Sequence, residues 1–239
     1  EMDPAEKETL RYACADSDYT LRLYYKFNDW FDKNLPHHRE IVEHIESPTA
    51  VYCGLMKYNG VPMNVTLMRK KQKEAEEKLN AIRAEIDKIT GGVEIGANAS
   101  TSAFKRYLFS ELGLPVLKTT EKYQEAADDA TMIMLADYCR ENRPDLVHLF
   151  ELVQEYRKWG KLKSTYIDGY MTHINSATGR IHPDLMPLGT ETGRFASRNP
   201  NLQNCPRKDN DPVGVRNFIA VPKGSLIVSL DFSQIELRV

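Results

Sequence analysis

Residues 225–239 read Ser225-Leu226-Ile227-Val228-Ser229-Leu230-Asp231-Phe232-Ser233-Gln234-Ile235-Glu236-Leu237-Arg238-Val239. The apolar, β-branched run from Ser225 to Leu230 predicts a buried strand that delivers Asp231 at its exit. A carboxylate held there is a rigid, hard oxygen ligand, placed to meet a divalent cation and phosphates. The following residues read as the start of a helix. Ser233 and Glu236 have the spacing of a capping box, so Glu236 also has a purely structural use at that helix start. Spacing alone favours the capping reading.

Upstream, Pro222-Lys223-Gly224 is a turn, and Val215 to Ala220 reads as a short helix or strand. Gly189 to Pro212 is rich in Gly, Asn, Pro and Arg, which predicts loop with short strands. Thr172–Asn175, Ser176–Gly179 and Arg180–His182 together read as a β-hairpin. Before Met171 the elements read as helices, with breaks at Asn34-Leu35-Pro36 and at the turn Tyr58-Asn59-Gly60-Val61-Pro62. The clearest stretch is 66–89, where Leu79, Ile82, Ile86 and Ile89 recur every three or four residues. Asn64 is placed to cap it, and Gly91-Gly92 to stop it. At 1.5 Å per residue it is a rod of about 35 Å. Further helices are predicted over Pro4–Phe31, Arg39–Lys57 with an interruption at Ser47-Pro48, Ser102–Leu112, Tyr123–Glu141 and Pro144–Tyr170. The fold class is α+β, mainly helical, with a small antiparallel sheet.

A chain of 239 residues, 41% hydrophobic and 28% charged, is ordinary for a globular protein. Apolar runs fall far short of the ~20 residues that span a bilayer, so no membrane is expected. Formal net charge is −2, but the charge is uneven. Residues 1–32 carry four basic and eight acidic side chains, and 121–151 carry three and eight. Basic character gathers at Tyr156–Tyr170 and at Arg194–Arg216, the latter with five basic and two acidic residues. Local clusters, more than the sum, set which partners are attracted. Cys14, Cys53, Cys139 and Cys205 form no CxxC pair and read as reduced thiols of a cytoplasmic protein. His37, His38 and His44 lack metal-site spacing and read as an exposed polar cluster.

The 225–239 segment resembles the first catalytic motif of the family A DNA polymerases, the DNA polymerase I type. Other segments resemble that family in the same order. Lys161-Leu162-Lys163-Ser164-Thr165-Tyr166 is similar to its thumb-base motif, and Thr178-Gly179-Arg180-Ile181-His182 to a hairpin of the family. Thr192-Gly193-Arg194-Phe195-Ala196-Ser197 with Asn199-Pro200-Asn201-Leu202-Gln203-Asn204 is similar to a further polymerase segment, and Leu112-Gly113-Leu114-Pro115 to another. Tyr12-Ala13-Cys14-Ala15-Asp16 resembles the third motif of the 3′–5′ proofreading exonuclease that precedes the polymerase domain, which marks Tyr12 and Asp16.

The resemblance implies 1–45 as the end of an exonuclease domain, 46–170 as the thumb, and 171–239 as the first part of the palm. It implies Asp231 as a catalytic ligand of two Mg2+ ions, shared with a second aspartate later in the parent. Glu236 would exclude a ribose 2′-hydroxyl, and Phe232, Gln234 and Ile235 would line the dNTP pocket. Arg194, Asn201, Gln203 and Asn204 would follow the minor groove of primer–template DNA, whose acceptors are nearly alike for all base pairs. Lys161, Lys163, Ser164 and Thr165 would hold backbone phosphates. The expected parent is a monomeric, cytoplasmic DNA-directed DNA polymerase of replication or repair, with no processivity partner identified.

The matched pattern departs from the commonest at Glu191, Phe195, Ala196, Cys205 and Phe232, which points to a divergent, viral-type member. The fingers motif and second metal-binding aspartate are expected beyond Val239, and the first exonuclease acids before Glu1. The 239 residues alone are therefore expected to be inactive. Two alternatives are a non-catalytic, polymerase-derived DNA-binding module and a stand-alone exonuclease.

Overall fold

The structure is a computed structural model that describes residues 6–97, 100–234 and 237. The described residues divide into two compact units, 1–59 with 184–197, and 60–183 with 198–239.

The first unit begins with α1, Lys7–Asn34, which contains no buried residue. Leu35 ends it, and Pro36 opens α2, Pro36–Ile41, where a missing N–H costs nothing. A π turn, Val42–Glu46, leads directly into α3, Ser47–Asn59. Ser47-Pro48 thus does not interrupt the helix as expected. The proline sits at the start of α3, just past the wider π turn, where its absent N–H is tolerated. The hairpin strands β4, Asp184–Met186, and β5, Ala196–Arg198, pair with each other. Lys57 Nζ reaches Asp184 at 2.6 Å and ties α3 to β4.

The second unit is built on α4, Val65–Thr90. Asn64 Oδ1 accepts the Leu67 N–H at 3.0 Å, and Gly91 ends the helix at φ 70°. Both limits follow the sequence reading. The buried stripe is Met68, Ala75, Ile82, Ile86 and Thr90, whereas Ile89 faces outward. α5, Ser102–Arg106, continues as a π turn to Glu111, with Thr101 as its cap. The helix expected from Tyr123 begins only at α6, Asp129–Asn142. Before it, Thr119 and Glu125 form an antiparallel bridge, and Tyr123 has φ 56°. The physical stop is Asp128, whose carboxylate takes the Thr131 N–H as an N-cap.

Pro144–Leu146 forms a single 3-10 turn that opens α7, Val147–Lys161. The chain then runs without a break through a π turn, Leu162–Asp168, into α8, Gly169–Thr172. A Cβ at Gly160 would lie 2.7 Å from Ala97 Cβ, so only glycine lets the 93–97 loop approach α7 so closely.

The expected hairpin is present. β2, Ile174–Asn175, pairs antiparallel with β3, Arg180–Ile181, in the register Ile174↔Ile181. β1, Val61–Pro62, pairs with β3 on its other side, although the sequence read only a turn there. Pro62 is tolerated because β1 is an edge strand.

Two apolar clusters fill this unit. One joins Ile82 and Ile86 of α4 with Phe104, Leu108, Leu135, Leu149, Phe150 and Val153. The other joins Met68 and Ala75 with Leu162, Tyr166, Ile167, Tyr170, Ile181 and Phe218. Arg157, 5% exposed, braces the first by donating to Ala127 O at 3.1 Å, to Ser100 Oγ and to Asp129 Oδ1 at 3.2 Å. Val215–Phe218 is a 3-10 turn.

The buried strand expected at 225–230 is not formed. Leu226, Ile227, Val228 and Leu230 are exposed and belong to no strand. Apolar character alone does not make a strand, since each needs a ladder partner. Among the described residues none lies alongside.

Candidate nucleic-acid interface

The residues marked at 161–170 sit where α7 passes through the π turn into α8. This segment has one apolar face, Leu162, Tyr166, Ile167 and Tyr170, packed into the second cluster. The opposite face therefore leaves Lys161, Ser164 and Thr165 exposed. A π turn widens the helix by one residue, a device often found at functional sites. Gly169 lets it close, since a Cβ there would lie 3.1 Å from Ser164 O.

Lys163 is placed differently from its three neighbours. Its ammonium is 2.7 Å from Asp168 Oδ2 and 3.2 Å from Glu76 Oε1, with the side chain largely covered. Gln72 Nε2 donates to the other Asp168 oxygen at 2.7 Å. The hydrogen bond to Asp168 holds the Lys163 pKa above its ordinary value, with Glu76 adding to it against the cost of burial. Lys163 in this state links α4 to the π turn.

The loop 199–205 lies in the same unit. Asn201 Oδ1 accepts the Gln203 N–H at 2.9 Å and the Asn204 N–H at 3.2 Å, so this side chain shapes the turn. Gln203 and Asn204 are exposed, and their carboxamides have no hydrogen-bond partner among the described residues. Two buried tyrosines grip the loop from below. Tyr166 donates to Asn204 O at 2.6 Å, and Tyr170 to Asn201 O at 3.2 Å. Their rings meet edge to face at 5.7 Å. Cys205 Sγ lies 3.4 Å from the Tyr170 hydroxyl and donates to Leu202 O at 3.4 Å. Burial pushes both phenols above their ordinary pKa, and the thiol contact raises Tyr170 further. Neither Tyr170 nor Asp168 was singled out from the sequence. The available signal was the spacing of four between Tyr166 and Tyr170 on a helix that also carries Leu162 and Ile167.

Arg194 lies in the first unit, exposed on the connection between β4 and β5. Thr190 Oγ1 donates to its carbonyl at 2.7 Å and Gly193 turns at φ 72°, which fixes the backbone at this point. Tyr12 and Asp16 occupy neighbouring, exposed positions one turn apart on α1.

Asp231, Phe232 and Gln234 are exposed and outside any helix or strand. Gln234 has φ 52° and its carbonyl accepts the Leu237 N–H at 3.0 Å; the remainder of the helix expected after Ser233 lies outside the described residues. Ile235 and Glu236 lie outside the described residues. A two-ion Mg2+ centre needs several carboxylates converging on one point. No group of three or more His, Cys, Asp or Glu side chains among the described residues could hold a metal ion. Asp231 alone does not make such a centre. No helix among the described residues is long and apolar enough to cross a membrane.

Comparison with known proteins carries the assignment further. The sequence profile of DNA polymerase family A matches residues 65–239. DNA polymerase I of Pseudomonas aeruginosa is 31% identical over 229 residues, which is 95% of this chain and 24% of that protein. The thermostable DNA polymerase I of Thermus aquaticus is 36% identical over 197 residues, 82% of this chain and 22% of that protein. Among solved structures, the POL domain of Pol1 from M. smegmatis, in complex with DNA primer-template and dNTP, superposes with a TM-score of 0.66. It is 23% identical and covers 77% of this chain and 31% of its own, a likeness of fold. A helical scaffold with small antiparallel sheets is thus that of a polymerase domain, and the chain belongs to DNA polymerase family A. It spans about a quarter of the length of the curated relatives it matches.

Proposed function

We propose that this chain is a segment of a DNA-directed DNA polymerase that extends a primer 3′-hydroxyl with dNMP in replication or repair. In this reading 1–45 closes a 3′–5′ exonuclease domain, 46–170 is the thumb, and 171–239 begins the palm. Lys161, Ser164 and Thr165 hold DNA phosphates, and Gln203 and Asn204 point their amides at the minor groove. Arg194, on the first unit, is a minor-groove contact in its own right. Asp231 is one carboxylate ligand for Mg2+. Phe232, Gln234, Ile235 and Glu236 face the dNTP. Tyr12 and Asp16 are the exonuclease remnant. The parent acts as a cytoplasmic monomer.

The observation that carries the reading is that two marked segments are packed against each other within one unit. The segment that exposes Lys161, Ser164 and Thr165 is tied to the amide-bearing loop through Tyr166 and Tyr170 on its buried face. Cations for phosphate and donors for minor-groove acceptors are the two parts of sequence-independent duplex binding. Lys163 braces the π turn against α4 through Asp168 and Glu76.

The purified 239 residues should retain primer–template DNA in a salt-sensitive manner and incorporate no nucleotide. In the parent enzyme, Asp231→Ala should abolish incorporation while leaving primer–template affinity within about threefold, since ion ligation supplies transition-state stabilisation above all. Single-turnover incorporation and an anisotropy titration separate the two effects. Wild-type turnover by that variant would overturn the assignment. Retention of DNA by the chain, combined with undiminished parent activity in the variant, would leave a binding module without a catalytic role.

A further inference from the structure

We propose that the Tyr166 and Tyr170 hydroxyls, with Cys205, are positioning residues that hold the Asn201–Asn204 turn as a rigid platform against duplex DNA. The inference rests on the reading of this loop as a minor-groove element and assigns roles within it. Gln203 and Asn204 make the contacts, Asn201 shapes the turn, and the tyrosines fix its two ends.

The turn has two kinds of internal support. From within, Asn201 Oδ1 collects the Gln203 and Asn204 N–H groups. From beneath, Tyr170 takes the carbonyl of the first residue, Asn201, and Tyr166 that of the last, Asn204. A four-residue turn held at both end carbonyls cannot rotate about its chain axis without breaking a bond. Both donors stand on a segment packed into an apolar cluster. Tyr170 is 3% exposed and Tyr166 9%, and each ring sits against the other. Their hydroxyls cannot retreat to water, so losing a carbonyl partner would leave a buried donor unpaired. Cys205 closes the arrangement, in contact with the Tyr170 hydroxyl and bonded back to Leu202 O. Among the described residues the exposed Gln203 and Asn204 amides have no protein partner, which is what a pre-organised contact surface requires.

The test is a pair of conservative variants, Tyr166→Phe and Tyr170→Phe, in the 239-residue chain, with Tyr138→Phe in the other cluster as control. Amide hydrogen exchange should accelerate at Gln203 and Asn204 in both variants and not in the control. Primer–template DNA affinity should fall about 2- to 12-fold, the range of one ordinary hydrogen bond. The slope of log affinity against log salt should stay unchanged, because the tyrosines touch no phosphate. A merely structural role would lower the melting temperature without selective exchange at these two amides. Asn201→Ala removes the inner support without touching the buried rings. It should reproduce the loss of affinity and keep the inference testable if a tyrosine variant unfolds. Unchanged exchange overturns the inference, as do unchanged affinity beside a wild-type chain that binds and a shallower salt slope. A wild-type chain that fails to retain primer–template overturns the proposed function itself, and this inference with it.

Discussion

At the scale of one residue, Asp128 shows how much local structure a single carboxylate can set. One oxygen accepts the Thr131 N–H at 2.9 Å and the Thr131 hydroxyl at 2.8 Å, while the other takes Lys118 Nζ at 2.6 Å. The Lys118 bond, followed by the two from Thr131, holds its pKa well below the usual carboxylate range. A depressed folded-state pKa means that the ionised cap stabilises above the unfolded value of ~3.9 and is lost as pH falls through the folded one. Asp128→Ala should cost about 1 kcal/mol, as for other N-caps. For a chain of this size that is a fall of about 2–4 °C in melting temperature. The gap between variant and wild type should close as the pH is taken below ~4, and thermal unfolding from pH 7 to pH 2.5 checks it. A gap that stays constant across that range would mean the carboxylate does not act through its charge.

At the scale of the element, α1 and α4 are of similar length and opposite character. α4 buries five residues, α1 none. Ile86→Ala, at a fully buried position, should destabilise by about 2–5 kcal/mol through lost transfer energy and a cavity. Tyr24→Ala on α1 should stay within about 0.5 kcal/mol. Urea denaturation of both variants reads the contrast, and equal effects would contradict the burial pattern. The limits of α4 were legible because each has a side-chain or glycine device in the sequence, Asn64 and Gly91. The start of α6 was not, because helix formers run back to Tyr123 and only the cap bonds of Asp128 decide between them. β1 was missed because a two-residue strand owes its existence to β3, far along the chain. The strand at 225–230 was over-read because apolar β-branched residues report a wish for burial and no partner. Within the site, Lys161, Ser164 and Thr165 are exposed as a phosphate contact requires. Lys163 is not, since its partners Glu76 and Asp168 lie 87 and five residues away and leave no periodic signal.

At the scale of the whole molecule, the C-terminal stretch adds apolar surface that no described element covers. Leu226 and Leu230 are each about 90% exposed, a patch that favours association between copies. The chain should self-associate as its concentration rises, and Leu226→Lys with Leu230→Lys should reduce this in sedimentation velocity. Unchanged association in the double variant would place the sticky surface elsewhere, with the exposed face of α1 as the first alternative. The second unit has a contrasting economy. Its two apolar clusters are threaded by the same pair of antiparallel helices, since α4 contributes to both and the α7–α8 run does likewise. Polar ties mark the pairing along its length: Glu85 faces His148, Lys78 faces Glu155, and Gln72 faces Asp168. Two continuous struts cross-tied in this way form a truss. Such a frame resists bending between its cores, so a load on the Asn201–Asn204 turn is passed to struts of which α4 alone runs for about 39 Å.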